Sequence, residues 1–209
     1  MLRGESMRDS QGAPKDRGGD PADVAMDRYA CGDDEAFDAL YDLLAPRLHA
    51  FLFRRARDAA ATEDLVQQTF LQIHFARQHF TPGAPVMPWA FAIARRLLID
   101  SFRRTRHEGS PGALAIDLDE QPAPSSREQI DALVGKRRLA RQVAEELLRL
   151  PEANRTAFEL VRYDGLSMTE AAQALGVTVS AVKTRAFRAY QCLRERLGDA
   201  VREELGEVT

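Results

Sequence analysis

The stretch Thr178–Arg188, "TVSAVKTRAFR", carries Lys183, Arg185 and Arg188 beside the short polar or small residues Thr178, Ser180, Ala181 and Thr184. No Asp or Glu falls between Ala174 and Tyr190. Ammonium and guanidinium groups mixed with hydroxyls, and no carboxylate among them, can bind phosphates and read the donors and acceptors of base edges. A solvated helix usually mixes its charge signs, so a one-signed face asks for a negative partner.

The residues around this stretch supply the elements that would hold it. Ser167-Met168-Thr169-Glu170 is a capping box, in which the Ser and Glu side chains satisfy each other's free backbone N–H groups. It predicts a short helix with Ala171, Ala172 and Leu175 inward, ended by Gly176, where the chain needs a positive φ. Val177 plugs the turn and Thr178 caps the next helix, whose buried stripe is Val182, Ala186, Ala189 and Leu193. Two helices joined by a short glycine turn form a helix-turn-helix, whose second helix enters the major groove of DNA. A lone basic helix would be read as an ordinary solvated surface. Cap, turn and stripe falling in register make that reading the poorer one.

A second cationic set lies in "WAFAIARRLLIDSFRRTR". With Ala90, Ile93, Ala94, Leu97 and Leu98 on one buried face, Arg95, Arg96, Arg103, Arg104 and Arg106 are left for the surface, opposed only by Asp100. Pro88 suits the first turn of this helix. The loop "RQHFTPGAPVMP" precedes it, with His79 and Phe80 at its start. Upstream, "TEDLVQQTFLQIHFARQHF" reads as a helix capped by Thr62, acidic in its first turn, with an apolar stripe of Leu65, Val66, Thr69, Phe70 and Ile73. Before it, Phe37, Leu40, Tyr41 and Leu44 keep helical spacing, and Leu48, Phe51 and Leu52 resume it after an expected kink at Pro46.

The chain of 209 residues, 44% hydrophobic and 29% charged, suits one or two domains with real cores. Its net charge is only −3, so any DNA-binding surface must come from local segregation of charge. Period-two strand patterning persists nowhere, and the expected fold is all-α: two small helical domains on a tether, the C-terminal one holding the helix-turn-helix. The expected divisions are a disordered tail over 1–24, a first domain over 25–107 and a flexible acidic linker over 108–129. A second domain follows over 130–199, with a terminal tail over 200–209. Cys31 and Cys192, one in each half, fit a reducing cytoplasm better than a disulfide framework. No apolar run approaches the roughly 20 residues needed to cross a bilayer, and the N-terminus lacks the apolar segment of a signal peptide.

The segment Leu150–Leu197 resembles the C-terminal domain of extracytoplasmic-function sigma factors of bacterial RNA polymerase, in the sigma-70 superfamily. The matching residues run from Leu150-Pro151, through Phe158-Glu159-Leu160, Gly165-Leu166-Ser167, Glu170, Ala172 and Leu175-Gly176, to Val182-Lys183, Arg185, Arg188-Ala189 and Leu193. The first domain is similar to the same family through Glu63-Asp64-Leu65-Val66-Gln67 with Phe70, and through Trp89, Ile93-Ala94-Arg95, Ile99-Asp100 and Arg103. Coverage is about residues 27–107 and 136–197.

The resemblance implies a protein with no catalytic site, cofactor or metal that lends promoter specificity to core RNA polymerase. Asp64, Leu65, Gln67, Gln68 and Leu71 would dock on the clamp coiled coil of the β′ subunit. Thr178, Ser180, Ala181, Lys183, Thr184, Arg185 and Arg188 would hold the −35 element, with the apolar rear near Leu193 and Leu197 against the β flap. His79, Phe80, Arg95, Arg96 and Arg103 would serve the −10 element, the loop capturing a base flipped from the duplex. Phe80 could equally pack into the domain, and Trp89 reads first as core. An anti-sigma factor, often membrane-anchored, is the implied inhibitor. Two departures stand out: Arg96 occupies a position commonly Asn, and Ala186 one commonly larger, which leaves Phe187 to repack that corner.

Two other classes compete. A helix-turn-helix regulator independent of polymerase would ordinarily need a dimer seam or a sensor domain, and neither pattern is visible. An enzyme would need a constellation that His49, His74, His79 and His107 do not form, since none stands at metal-type spacing and no phosphate-cradling glycine loop occurs.

Overall fold

The computed structural model describes residues 19–107 and 127–198, with side chains described for 19–104 and 138–198. These residues form eight α-helices and no strand: α1 (Pro21–Ala30), α2 (Ala36–Ala56), α3 (Ala59–Ala76), α4 (Val86–His107), α5 (Arg127–Arg149), α6 (Glu152–Arg162), α7 (Met168–Leu175) and α8 (Val179–Leu197). The all-α expectation holds. The tail over 1–18, the linker over 108–126 and the end over 199–209 lie outside the described residues.

Several boundaries move for local reasons. Residues 21–24, expected in the tail, open α1, where the Asp20 carboxylate accepts the Ala22 N–H at 3.0 Å and Pro21 takes the position whose N–H would be free anyway. α2 runs as one helix from Ala36 to Ala56 with Pro46 inside it. Thr62 is not the cap of α3. Asp58 is, accepting the Ala61 N–H at 2.7 Å, while the buried Thr62 hydroxyl donates to the Asp58 carbonyl. α5 starts ahead of Ile130, since Arg127, Glu128 and Gln129 are good helix formers.

Helices α1 to α4 pack into one bundle around Met26, Leu40, Leu44, Leu48, Phe51, Leu52, Ile73, Val86 and Phe91, all fully or almost fully buried. A second core joins α5, α6 and α8 through Val143, Leu147, Phe158, Ala189, Tyr190 and Leu193. The two bundles are not held apart. α7 packs along α4, and Ala157, Leu160, Leu166, Ala171, Ala172, Ala174 and Val182 belong to the same apolar cluster as the first bundle. α6 explains how. Its five consecutive residues Thr156–Leu160 are all buried, and a helix buried all round must be covered on both sides. Phe158 faces the second core, and Ala157 and Leu160 join the first.

Candidate nucleic-acid interface

The helix-turn-helix forms as the sequence patterning requires. The Ser167 N–H donates to Glu170 Oε2 at 2.8 Å, and the Glu170 N–H to Ser167 Oγ at 3.2 Å. Gly176 turns the chain with φ 65°, and Thr178 Oγ1 accepts the Ala181 N–H at 3.2 Å, capping α8. Val182, Ala186, Ala189 and Leu193 are all 1% exposed or less. With that stripe fixed inward, the helical period leaves Ser180, Lys183, Thr184 and Arg188 exposed on the opposite face. Thr178 is exposed beside them, and Ala181 and Arg185 are half-buried at its edge. Phe187 does not repack the corner by Ala186; it is 48% exposed, one position round the helix on the outer side. Leu193 is completely buried by α5 and α6, so it offers no rear docking surface, while Leu197 is half-buried.

The second cationic set is built on α4. Arg96 and Arg103 project from the helix with side chains 86% and 76% exposed. Asp100 lies near both, at 4.0 Å from Arg96 Nε and 3.8 Å from Arg103 Nη1; at such exposure these contacts leave both cations largely answerable to solvent or a ligand. Arg95 is half-buried and Arg104 exposed; the side chain of Arg106 lies outside the described residues. The loop before α4 is fixed from below by α1. Asp27 accepts the Gly83 N–H through both carboxylate oxygens, at 3.0 and 3.2 Å, and Asp23 Oδ1 accepts the Val86 N–H at 2.7 Å. Two acids one helical turn apart on α1 thereby set the loop and the start of α4. Sequence reading missed them because their partners are about 60 residues away.

A cavity of about 330 Å³ opens between this loop and α4, with His79, Phe80, Pro88, Trp89 and Ala92 on its walls. Phe80 is 7% exposed and packs on half-buried Trp89 at 5.1 Å between ring centroids. Of its two expected roles the packed one is seen, and the ring also forms part of the cavity wall. His79 is exposed at the rim. One further wall is Gln173, from α7.

On α3, Asp64, Gln67 and Gln68 are exposed and Leu71 is 51% exposed. Leu65 is not part of that surface; it is 3% exposed, because it sits on the inward stripe with Thr69 and Ile73. An apolar cavity of about 520 Å³ lies alongside, with Tyr41, Gln67, Phe70, Leu71 and His74 on its walls, and Phe75 beyond it is 67% exposed. Beneath it the Tyr29 hydroxyl and His74 Nδ1 meet at 2.5 Å, and the Arg77 guanidinium lies over the Tyr29 ring at 4.7 Å.

A third cluster escaped the sequence reading. Arg47, Arg54 and Arg55 line one side of α2 and meet the C-terminal turn of α6. Arg55 Nη2 and Glu159 Oε2 stand 2.6 Å apart in ion contact, although not aligned as a hydrogen bond. Arg54 donates to Asp164 Oδ1 at 2.6 Å, and Arg47 donates to the Asp164 carbonyl. Burial pushes the Asp164 carboxyl up, against the pull of Arg54, Arg55 and Arg47, and pushes Arg55 down to about 10 despite Glu159.

A helix-turn-helix with a one-signed outer face, an arginine-bearing helix beside a cavity and a partly apolar face on α3 thus stand on one chain. Residues 40–108 match the model of sigma-70 region 2, and residues 140–193 that of sigma-70 region 4. The RNA polymerase sigma factor CarQ of Myxococcus xanthus is 32% identical over 83% of this chain and 96% of its own length. The ECF sigma factor SigF of Caulobacter vibrioides is likewise 32% identical, over 79% of this chain and 88% of its own. Among solved structures, CnrH in complex with the cytosolic domain of CnrY matches with a TM-score of 0.62 and 25% identity, over 87% of this chain and 99% of CnrH. The sigma factor RpoE of Bartonella quintana, solved with the anti-sigma factor NepR, matches with a TM-score of 0.59 and 26% identity, over 77% and 96%. The chain belongs to the sigma-70 family, in its extracytoplasmic-function group, and has the role of an alternative sigma factor.

Proposed function

We propose that this chain binds core RNA polymerase in the cytoplasm and directs it to promoters with a two-part code, without catalysing a reaction itself. Residues 25–107 act as region 2 and residues 130–199 as region 4. The observation that carries the reading is the α8 face, where Ser180, Lys183, Thr184 and Arg188 stand exposed together, backed by a stripe that fixes their direction. Those residues, with Thr178, Ala181 and Arg185, hold the −35 element in the major groove.

Arg95, Arg96 and Arg103 hold phosphates of the −10 element, and the cavity at His79, Phe80 and Trp89 takes a base flipped from the non-template strand. Unpairing that base costs a few kcal/mol, offset by stacking and by attraction to the arginines. Asp64, Gln67, Gln68 and Leu71 dock on the β′ clamp coiled coil: directed hydrogen bonds set the register and the apolar cavity beside Leu71 supplies area. The outer side of α8 near Leu197 meets the β flap. An anti-sigma factor, soluble or membrane-anchored, is the inhibiting partner, in keeping with the solved sigma factor RpoE, which is bound by the anti-sigma factor NepR.

Transcription by core polymerase from a pool of genomic fragments, with and without the protein, tests the reading. Starts that need the protein and share a two-part upstream motif are expected. Absence of both starts and core binding would instead make the chain a DNA-binding regulator that acts without polymerase.

A further inference from the structure

We infer that α1 sets which base the loop before α4 accepts: Asp27 and Asp23, neither of them on the cavity wall, are positioning residues that hold the loop's backbone in one conformation. The inference rests on the proposed reading of that cavity as the base-capturing site.

The loop has two conformations to choose between. Thr81-Pro82-Gly83-Ala84 closes a turn in which the Thr81 carbonyl accepts the Ala84 N–H at 3.0 Å. Pro82 fixes a negative φ at the second position and Gly83 has φ 76° at the third, which makes the turn type II. In the commoner type I turn the Pro82–Gly83 peptide is rotated by about half a turn. Asp27 decides between them, because both of its carboxylate oxygens hold the Gly83 N–H, at 3.0 and 3.2 Å. The planar trans peptide then directs the Pro82 carbonyl the opposite way, out from α1.

The cavity walls follow the turn. Thr81 and Ala84 are its two ends, and they line the cavity with Pro85. One residue further, Asp23 Oδ1 accepts the Val86 N–H at 2.7 Å, and Val86 is fully buried as α4 begins. Asp23 and Asp27 stand one turn apart on α1, whose Ala22, Ala25, Met26 and Tyr29 are sealed in the first bundle. The loop is thus clamped at two points from an anchored helix, and Ala84 and Pro85 lie between those points.

Stability alone does not account for Asp27. Gly83 is exposed, so water would satisfy its N–H as well, and what the carboxylate contributes is direction. No cation pairs with Asp27 among the described residues. A lone negative charge beside a strand-binding site opposes the phosphates that the site must admit.

The test uses the full-length protein, alone and assembled with core polymerase, to retain strands from a single-stranded DNA pool of random sequence. Sequencing the retained strands should show one position at which a base is favoured on the order of tenfold, the discrimination a shaped pocket gives. Asp27→Ala should lose that preference while its binding to core polymerase is unchanged. Asp27→Asn keeps an acceptor oxygen and should keep the preference. It should also bind the pool more tightly at low salt, because a negative charge is gone. Gly83→Ala meets nothing within 4 Å but strains φ 76°, so it should lose the preference with Asp27 intact. Amide exchange followed by NMR should show Gly83 losing protection in Asp27→Ala and keeping it in Asp27→Asn, and thermal melts establish which variants are folded. A preference that survives Asp27→Ala or Gly83→Ala overturns the inference. Equal loss in Asp27→Asn and Asp27→Ala also overturns it, since charge and not geometry would then be the cause. If Asp27→Ala does not fold, Gly83→Ala decides. A one-position preference in a protein that neither binds core polymerase nor gives starts would overturn the proposed function and leave the inference standing. Promoter-directed starts with no strand preference in the unchanged protein would do the reverse.

Discussion

Arg55 and Glu159, one in each helical bundle, meet at 2.6 Å with side chains only 5% and 6% exposed. Arg55 is held from its own side as well: Nη1 donates to the Phe51 carbonyl at 3.0 Å, and the guanidinium lies 4.0 Å from the Phe51 ring centroid. Removing either partner strands the other charge in an apolar interface. Arg55→Ala should therefore weaken docking by roughly 3–5 kcal/mol, or by the whole docking free energy if that is smaller, because the bundles can part and hydrate Glu159. The double change Arg55→Met with Glu159→Leu should be nearly neutral. Denaturant unfolding of the two variants, followed by the Cys31–Cys192 distance, checks both statements.

Asp164 gives a pH dependence of opposite sign to that of an ordinary surface ion pair. Its carboxyl is raised by burial, so the docked chain binds the proton more readily than the undocked chain does. The stability it contributes is fully present below the ordinary value of 3.8 and is lost as pH rises through the raised one. Relative to Asp164→Asn, the unchanged protein should gain stability as pH falls from neutral towards 3.8. A relative loss over that range in paired melting curves would mean that Arg54 and Arg47 outweigh burial.

The two ends of α7 should respond differently to substitution. Ser167→Ala removes the cap and should cost about 1 kcal/mol. Gly176→Ala meets nothing within 4 Å, so its cost is backbone alone, about 1–2 kcal/mol for φ 65°. Thermal melts of both variants, with DNA binding measured well below the transition, separate stability from recognition.

Leu71→Asp should reduce affinity for core polymerase by roughly 10- to 100-fold, the equivalent of an apolar side chain no longer buried on docking. Its side chain is half exposed in the free protein, so the melting temperature should hardly move. Leu65→Asp should instead unfold the first bundle, and the contrast is the check on which face of α3 is which.

Arg185→Ala should weaken −35 binding by roughly 1–3 kcal/mol and relax preference at one position. Lys183→Ala should weaken all sequences alike and lower the salt slope by about one. Binding to a set of mutated −35 duplexes at several salt concentrations distinguishes base reading from phosphate contact.

Local chemistry made much of this protein legible without coordinates. The capping box at Ser167 and Glu170, the turn at Gly176, the Thr178 cap and the stripe from Val182 to Leu193 are short-range features. Their residue types and spacing decide them, and the structure reproduces each. The same spacing determined which way Lys183 and Arg188 point. Short-range signals erred where two residues could play one part: Asp58 rather than Thr62 caps α3, because a carboxylate ahead of the apolar run is already placed to accept an N–H.

Tertiary structure decided whatever depends on partners distant in the chain. Leu65 and Leu193, read as docking residues, are sealed in the two cores, and Asp23 and Asp27 proved to be the supports of a loop about 60 residues away. Glu159 sits in an apolar run between Phe158 and Leu160, an oddity visible in the sequence, but its meaning lies more than a hundred residues away at Arg55. Periodicity reports that a face is buried and is silent about what buries it. Hydrophobic burial is non-directional, so only the packed fold could show that α6 has bundles on both sides and that two domains expected on a tether meet over a buried cluster of charges.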